Sequence, residues 1–209
     1  MRGTSRQLTI GPCDRIAYLA EALKADPSIV ELNWLNRSIG VDNFEPFRAR
    51  HELIPKYSFA IPTEAALALI AKHGPIVEIG AGTGYWALLL AERGVDIVAY
   101  DIEPGHSSFH AHDPWFPVVK DDHTRVADHQ ERTLFLCWPY MDDMAYQALG
   151  LYQGQTVIYI GEGRGGCCAN DEFFSTLADD WEAVEEVEIP QWWGVHDYLT
   201  VYRRAQKGN

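Results

Sequence analysis

Between residues 76 and 101 the chain reads as strand, glycine turn, helix and strand with almost no residues to spare, and this unit restricts the possible folds more than any other stretch. Ile76-Val77-Glu78-Ile79-Gly80 is a short β-branched run between glycine punctuators, Trp86 to Arg93 is a helical run that Gly94 ends, and Asp96 to Asp101 is a second apolar strand. Two strands joined through a helix predict a right-handed βαβ unit and therefore a parallel sheet. Further strands are expected at 116–119, 133–138, 156–160, 182–189 and 197–203, with helices at 13–25, 63–73, 142–150 and 171–180 and a short one through Ile29, Leu32 and Leu35. Residues 37–58 read as irregular and polar. The economical architecture is α/β: an open, mostly parallel, seven-stranded sheet with helices on both faces. Only Pro190 to His196 separates the last two strands, so they are expected to pair antiparallel, leaving an antiparallel last strand.

At 209 residues the chain holds one globular unit, read as an N-terminal helical extension or cap over 1–56 and a main domain over 57–209. The formal charge of -13 opposes a non-specific grip on nucleic acid or on anionic lipid, since the protein's own field would repel either. Arg2/Arg6, Arg48/Arg50 and Arg203/Arg204/Lys207 are the scattered basic exceptions. Cys13, Cys137, Cys167 and Cys168 show no disulfide framework, the N-terminus lacks the apolar run of a signal peptide, and no stretch is apolar for about 18 residues. A reducing, cytoplasmic compartment without membrane attachment is the expectation, as a monomer or homodimer.

Gly80-Ala81-Gly82-Thr83-Gly84 lies where strand turns into helix, and a backbone without Cβ atoms can press against a ligand there. Asp101, at the end of the next strand, is placed to accept hydrogen bonds from two ribose hydroxyls. The dinucleotide fingerprint needs a third glycine where this chain has Tyr85, so a nicotinamide enzyme is the least favoured reading.

Val77 to Trp86, continued through Asp101, resembles the first motif of class I S-adenosylmethionine-dependent methyltransferases. The resemblance spans roughly residues 57–204. It implies S-adenosyl-L-methionine as cofactor, S-adenosyl-L-homocysteine as product, and methyl transfer as the reaction. Carried over residue by residue, it implies cofactor contacts from Gly80, Ala81, Gly82 and Gly84, from Glu78 at the methionine end, from Asp101 at the ribose, from Ile102 on the adenine face and from Asp121 at the adenine amine. Trp86 is expected to wall the site and Tyr57 to reach the methionine carboxylate from a lid; ordinary packing is the alternative for each.

At the end of the fourth strand, amino methyltransferases of this family carry Asn/Asp-Pro-Pro-Tyr/Phe. This chain has Cys137-Trp138-Pro139-Tyr140, a departure that argues against methylation of a base amine. Cys137 and Trp138 are assigned to the cofactor wall. Tyr140 is assigned to the acceptor and to catalysis, with cation–π contact open to Trp138 or Tyr140. Glu162 and Arg164, in the glycine-rich segment 161–168, are placed at the carboxyl edge of the sheet as catalytic and substrate-binding candidates. Trp192 and Trp193 either roof the substrate or pack on the N-terminal helices. His196, beside Asp197, is the candidate general base.

His106, His110, His112 and Asp113 have the residue types of a metal site, but a mobile lid is the preferred reading and no metal is assigned. The expected acceptor is a small molecule with a planar or aromatic part. A protein or RNA acceptor is the runner-up, and a non-catalytic S-adenosylmethionine-binding module is the alternative from another class.

Overall fold

The computed structural model describes residues 7–10, 16–31, 45–106 and 112–206. Helix α1 (Ala17–Ala25) and α2 (Glu45–Lys56) precede α3 (Glu64–Ala71), and then comes the core: β1 (Ile76–Ile79), α4 (Tyr85–Ala91), β2 (Ile97–Asp101), β3 (Val119–Lys120), β4 (Thr133–Cys137), α5 (Met144–Leu151), β5 (Thr156–Gly161), α6 (Asp171–Asp180), β6 (Trp181–Glu188) and β7 (Tyr198–Arg204). The seven strands form one sheet in the order β3-β2-β1-β4-β5-β7-β6. β1 pairs in parallel with both β2 and β4, whereas β7 runs antiparallel to β5 and to β6. The fold is Rossmann-like, with its antiparallel strand inserted next to the edge.

The order follows from burial. Every residue of β1 and β5, and all but the last of β4, is buried or nearly so, as apolar strands covered by helices on both faces must be. β6 is the opposite case: Glu182, Glu185 and Glu186 keep most of it exposed, and a charged edge resists pairing with another chain. Thr63 caps α3 by accepting from the Ala66 amide, and Asn170 caps α6 by accepting from the Phe173 amide. Among the described residues no helix is long and apolar enough to cross a membrane.

Three segments differ from expectation. α2 falls in the stretch read as irregular; Pro46 sits in its first turn, where the N–H has no helical partner, whereas Pro55 lies inside the helix near its end and forgoes one backbone hydrogen bond, and the polar face hides the period. The expected strand at 116–119 shrinks to Val119–Lys120, because β3 is an exposed edge pairing only through Tyr100 and Asp101. The short helix expected through Leu35 is a 3-10 turn at Pro27–Val30, and Leu32 and Leu35 lie outside the described residues, as do Arg2, Arg6, Cys13, Arg37, His110 and Lys207.

The chain leaves β1 toward β2 and β3 and returns on the other side of β1 as β4. That reversal opens a crevice at the carboxyl ends of β1 and β4, the place where open α/β sheets bind ligands.

Candidate functional site

A cavity of about 610 Å3 occupies this crevice. It straddles β1: Gly80, Ala81, Gly82, Asp101, Ile102 and Asp121 line one side, and Cys137, Trp138, Tyr140, Asp142, Asp143 and Met144 the other, with Ser58, Phe59, Glu78 and Trp86 between them. Its size suits a ligand of a few tens of atoms.

The glycine turn is fastened from within. Gly80 and Gly82 hold φ of 75° and 55°, open to glycine without a Cβ penalty. The Gly80 and Ala81 amides donate to the Tyr100 carbonyl, Gly82 to Asp101 Oδ2 at 2.8 Å, Gly84 to the Ala81 carbonyl and Tyr85 to Thr83 Oγ1. These donors are therefore committed to the protein, whereas a pyrophosphate cradle keeps its amides for the ligand. Asp101 Oδ1 accepts in turn from the Glu103 amide at 2.8 Å, so the carboxylate is held rigidly at the rim with lone pairs to spare. Ile102, 61% exposed, lies beside it as an apolar platform that the protein itself leaves uncovered.

The lining has one sign of charge. Seven acidic residues line the cavity, Glu78, Asp101, Glu103, Asp121, Asp122, Asp142 and Asp143, and among the described residues no Lys or Arg lines it. Arg125 pairs with Asp121 at 3.5 Å from outside. Glu78 is the extreme member: its side chain is 1% exposed, its Oε2 has no hydrogen-bond partner, and burial, followed by the nearby Asp101 charge, pushes its carboxyl up to about 8. The Trp86 indole N–H is likewise buried, and neither atom has a partner among the described residues. A cationic group carrying N–H donors would relieve the first of these, and an anion would aggravate it.

At the end of β4, Trp138 adopts a left-handed backbone with φ of 52°, which a bulky residue takes only when its surroundings impose it. Here they do. Its amide donates to Ile160 O, its indole N–H to Asp197 Oδ2 at 2.8 Å, and its ring stacks on Phe59 with centroids 5.2 Å apart. Burial pushes the Asp197 carboxyl up to about 7 against the effect of that bond.

Several expected site residues are elsewhere. Glu162 and His196, expected in catalysis, do not line the cavity: Glu162 Oε2 accepts from the Cys167 amide and Oε1 from the His196 amide, both at 2.9 Å, so the pair staples two loops together. Arg164 points along α6, bonded to Ser175 and 3.8 Å from Asp171. Trp192 is buried with its N–H on the Tyr18 hydroxyl, and Trp193 packs edge-on against Phe47; both lie on the N-terminal helices and do not roof the cavity. Tyr57 donates to Glu21 and stacks between Tyr18 and Trp115, so its neighbours Ser58 and Phe59 face the cavity instead. Gly84 is absent from the lining as well; a Cβ there would come within 2.8 Å of Val118, so this glycine serves close packing. No described residue before Ser58 lines the cavity. His106 and His112 sit against backbone carbonyls of Pro104, Lys56 and Asp113, and no metal-holding group occurs among the described residues.

Phe59, Glu103, Asp142 and Asp143 line the cavity without a sequence signal beyond their closeness to the motifs. The pattern available was the acidic doublet Asp142-Asp143 following Pro139-Tyr140 at a strand end.

Cys137 lines the cavity, but burial raises its thiol well above the ordinary range and pushes that of Cys168 up to about 12, whereas Cys167 is exposed. Thiolate is the reactive form. Iodoacetamide is therefore expected to label Cys167 in the native protein while Cys137 and Cys168 stay unmodified until denaturation, as read by peptide mass spectrometry.

No protein-family model matches the chain, and no curated protein matches it in sequence. Among solved structures, it is similar to the Burkholderia thailandensis 1,6-didemethyltoxoflavin-N1-methyltransferase bound to 1,6-didemethyltoxoflavin and S-adenosylhomocysteine, at 16% identity over 68% of this chain and 78% of that one, with a TM-score of 0.49. It is also similar to the Synechocystis magnesium protoporphyrin IX methyltransferase with bound S-adenosylmethionine, at 11% identity over 90% and 96% of the two chains and a TM-score of 0.48. A third, an Archaeoglobus fulgidus S-adenosylmethionine-dependent methyltransferase, has 15% identity over 77% and 97%, with a TM-score of 0.47.

Proposed function

We propose that this protein is an S-adenosylmethionine-dependent methyltransferase acting on a small molecule with a planar or aromatic part. The observation that carries this reading is the single-sign lining of the cavity around the glycine turn, seven carboxylates with no Lys or Arg among the described residues. A dinucleotide would bring two phosphate charges against that field and would find the turn's amides already used. A sulfonium with an α-ammonium group meets the same field favourably.

The residues present fit that cofactor: Glu78, with its unpartnered oxygen, would organise the methionine end, Asp101 the ribose hydroxyls, Ile102 the adenine face and Asp121 the adenine amine. When bound, S-adenosylmethionine supplies a methyl whose bond to sulfur breaks, the electron pair returning to sulfur, as an acceptor lone pair forms the new bond. The chain's own contribution is alignment and exclusion of water by the Trp138, Phe59 and Tyr140 wall. Glu162 and His196 are turned into loop contacts away from the cavity, so neither is placed to take a proton from the acceptor.

Isothermal calorimetry with S-adenosylmethionine, S-adenosylhomocysteine and NADH at one fixed salt concentration tests the reading. Binding of the first two and not of NADH is expected, with release of S-adenosylhomocysteine when aromatic acceptors are supplied. No heat from either sulfur compound with well-folded protein would overturn it. Binding without turnover across a broad acceptor panel would instead assign an idle binding module.

A further inference from the structure

We infer that the acceptor is a planar aromatic molecule bearing a protonated amine, held with its ring against Trp138 and its cation toward Asp142 and Asp143. This rests on the methyltransferase reading and narrows its substrate class.

The cavity has two sides, separated by β1, and the side past β4 is built differently from the side past β2. It begins with an aromatic pair: Trp138 and Phe59 both line it, stacked on each other with centroids 5.2 Å apart, and the indole is fixed by its hydrogen bond to buried Asp197. Tyr140, 41% exposed, extends the aromatic surface at the mouth. Such faces attract cations as well as rings, because their π-clouds carry negative potential. Asp142 and Asp143 follow directly at the start of α5. Asp142 Oδ1 accepts from the Met144 amide and Asp143 Oδ1 from the Asn170 side chain, both at 2.9 Å, and the second oxygen of each has no partner among the described residues. Held carboxylates with an oxygen to spare, beside an aromatic wall, make a site for an ammonium group.

The opposite charge fits nowhere. An acceptor carrying a carboxylate or phosphate would face the same seven acids with no described Lys or Arg to neutralise it. Glu78, assigned to the cofactor's methionine end, shows the same preference for a cation, since its buried Oε2 has no donor among the described residues. A nucleic-acid acceptor would bring its phosphates to the rim and meet the same repulsion.

The test uses protein saturated with S-adenosylhomocysteine and two pairs of probes matched in ring and opposite in charge: tryptamine with indole-3-acetate, and tyramine with 4-hydroxyphenylacetate. Calorimetric titration is expected to show each amine bound at least tenfold more tightly than its acid. That preference should fall severalfold in the double variant Asp142→Asn, Asp143→Asn, whose unchanged affinity for S-adenosylhomocysteine reports an intact fold. Acids bound as tightly as amines, or no probe bound at millimolar concentration, would overturn the inference while leaving the cofactor reading in place. Failure of S-adenosylhomocysteine itself to bind would remove that reading first.

Discussion

Replacing Asp101 with Ala is expected to weaken S-adenosylmethionine binding about 100-fold while leaving the fold intact. The carboxylate sits at the end of β2, half-buried, and ties the Gly82 amide to the Glu103 amide. A hydrogen bond to a charged group contributes about 1.5–3 kcal/mol, so losing the two proposed ribose contacts alone corresponds to about two orders of magnitude or more in affinity. Asp101→Asn should fall between, because the amide keeps an acceptor for one backbone donor and loses the other. Calorimetry on both variants, with circular dichroism and thermal melting as folding controls, makes the measurement. Affinity of the Ala variant within twofold of the parent would show that this acid does not touch the cofactor.

The second large effect belongs to Glu78→Gln, and it is one of stability. The folded-state carboxyl titrates at about 8, against an ordinary value of 4.5, with burial as the first cause. Between those two values the unfolded chain has already released the proton that the folded chain retains. The unfolded state therefore binds fewer protons, and stability falls as pH rises through this window. The loss is complete only above the folded value. Gln has no such titration. The variant is expected to melt close to the parent near pH 5 and to exceed it increasingly toward pH 9, by a gap of a few kcal/mol, or roughly 5–15 °C. Comparing the two proteins at each pH removes the contribution of every other titrating group they share.

Cofactor binding reads the same group from the other side. A cation beside Glu78 stabilises its ionised form, so binding near pH 7 should release about one proton per site, seen as a dependence of calorimetric heat on the buffer's ionisation enthalpy. In Glu78→Gln that release should vanish. A stabilised variant that binds poorly would place Glu78 among the groups whose strain in the free protein is relieved by ligand.

The parts of the molecule legible in the sequence were those decided within one βαβ unit. The β-branched runs at 76–79, 97–100 and 156–160, the helix breaks at Gly74-Pro75 and Gly94, and the spacing from Gly80 to Asp101 all reflect local steric rules, and the structure uses each of them. α2 was illegible for a local reason too: Pro55 lies inside it, where proline ordinarily signals a break, and its polar residues mask the apolar period. The rim acids Asp142 and Asp143 gave only an acidic doublet, with nothing to say which way it would face.

What the sequence alone determined was the glycine turn, the acid that braces it and the parallel core around them, because backbone freedom and apolar patterning act over a few residues. Which distant loops meet at that turn was decided by strand order. The loop after β5 stands two strands from β1, and inserting β7 antiparallel beside β5 puts the loop before β7 three strands away, about 10 and 14 Å at the spacing of neighbouring strands. There Glu162 and His196 fasten each other, and Trp192 reaches the N-terminal helices, while the return of β4 beside β1 brings Trp138, Asp142 and Asp143 to the cavity. Pairing between strands far apart in the chain depends on the burial of the whole sheet, and no short window of residues contains that information.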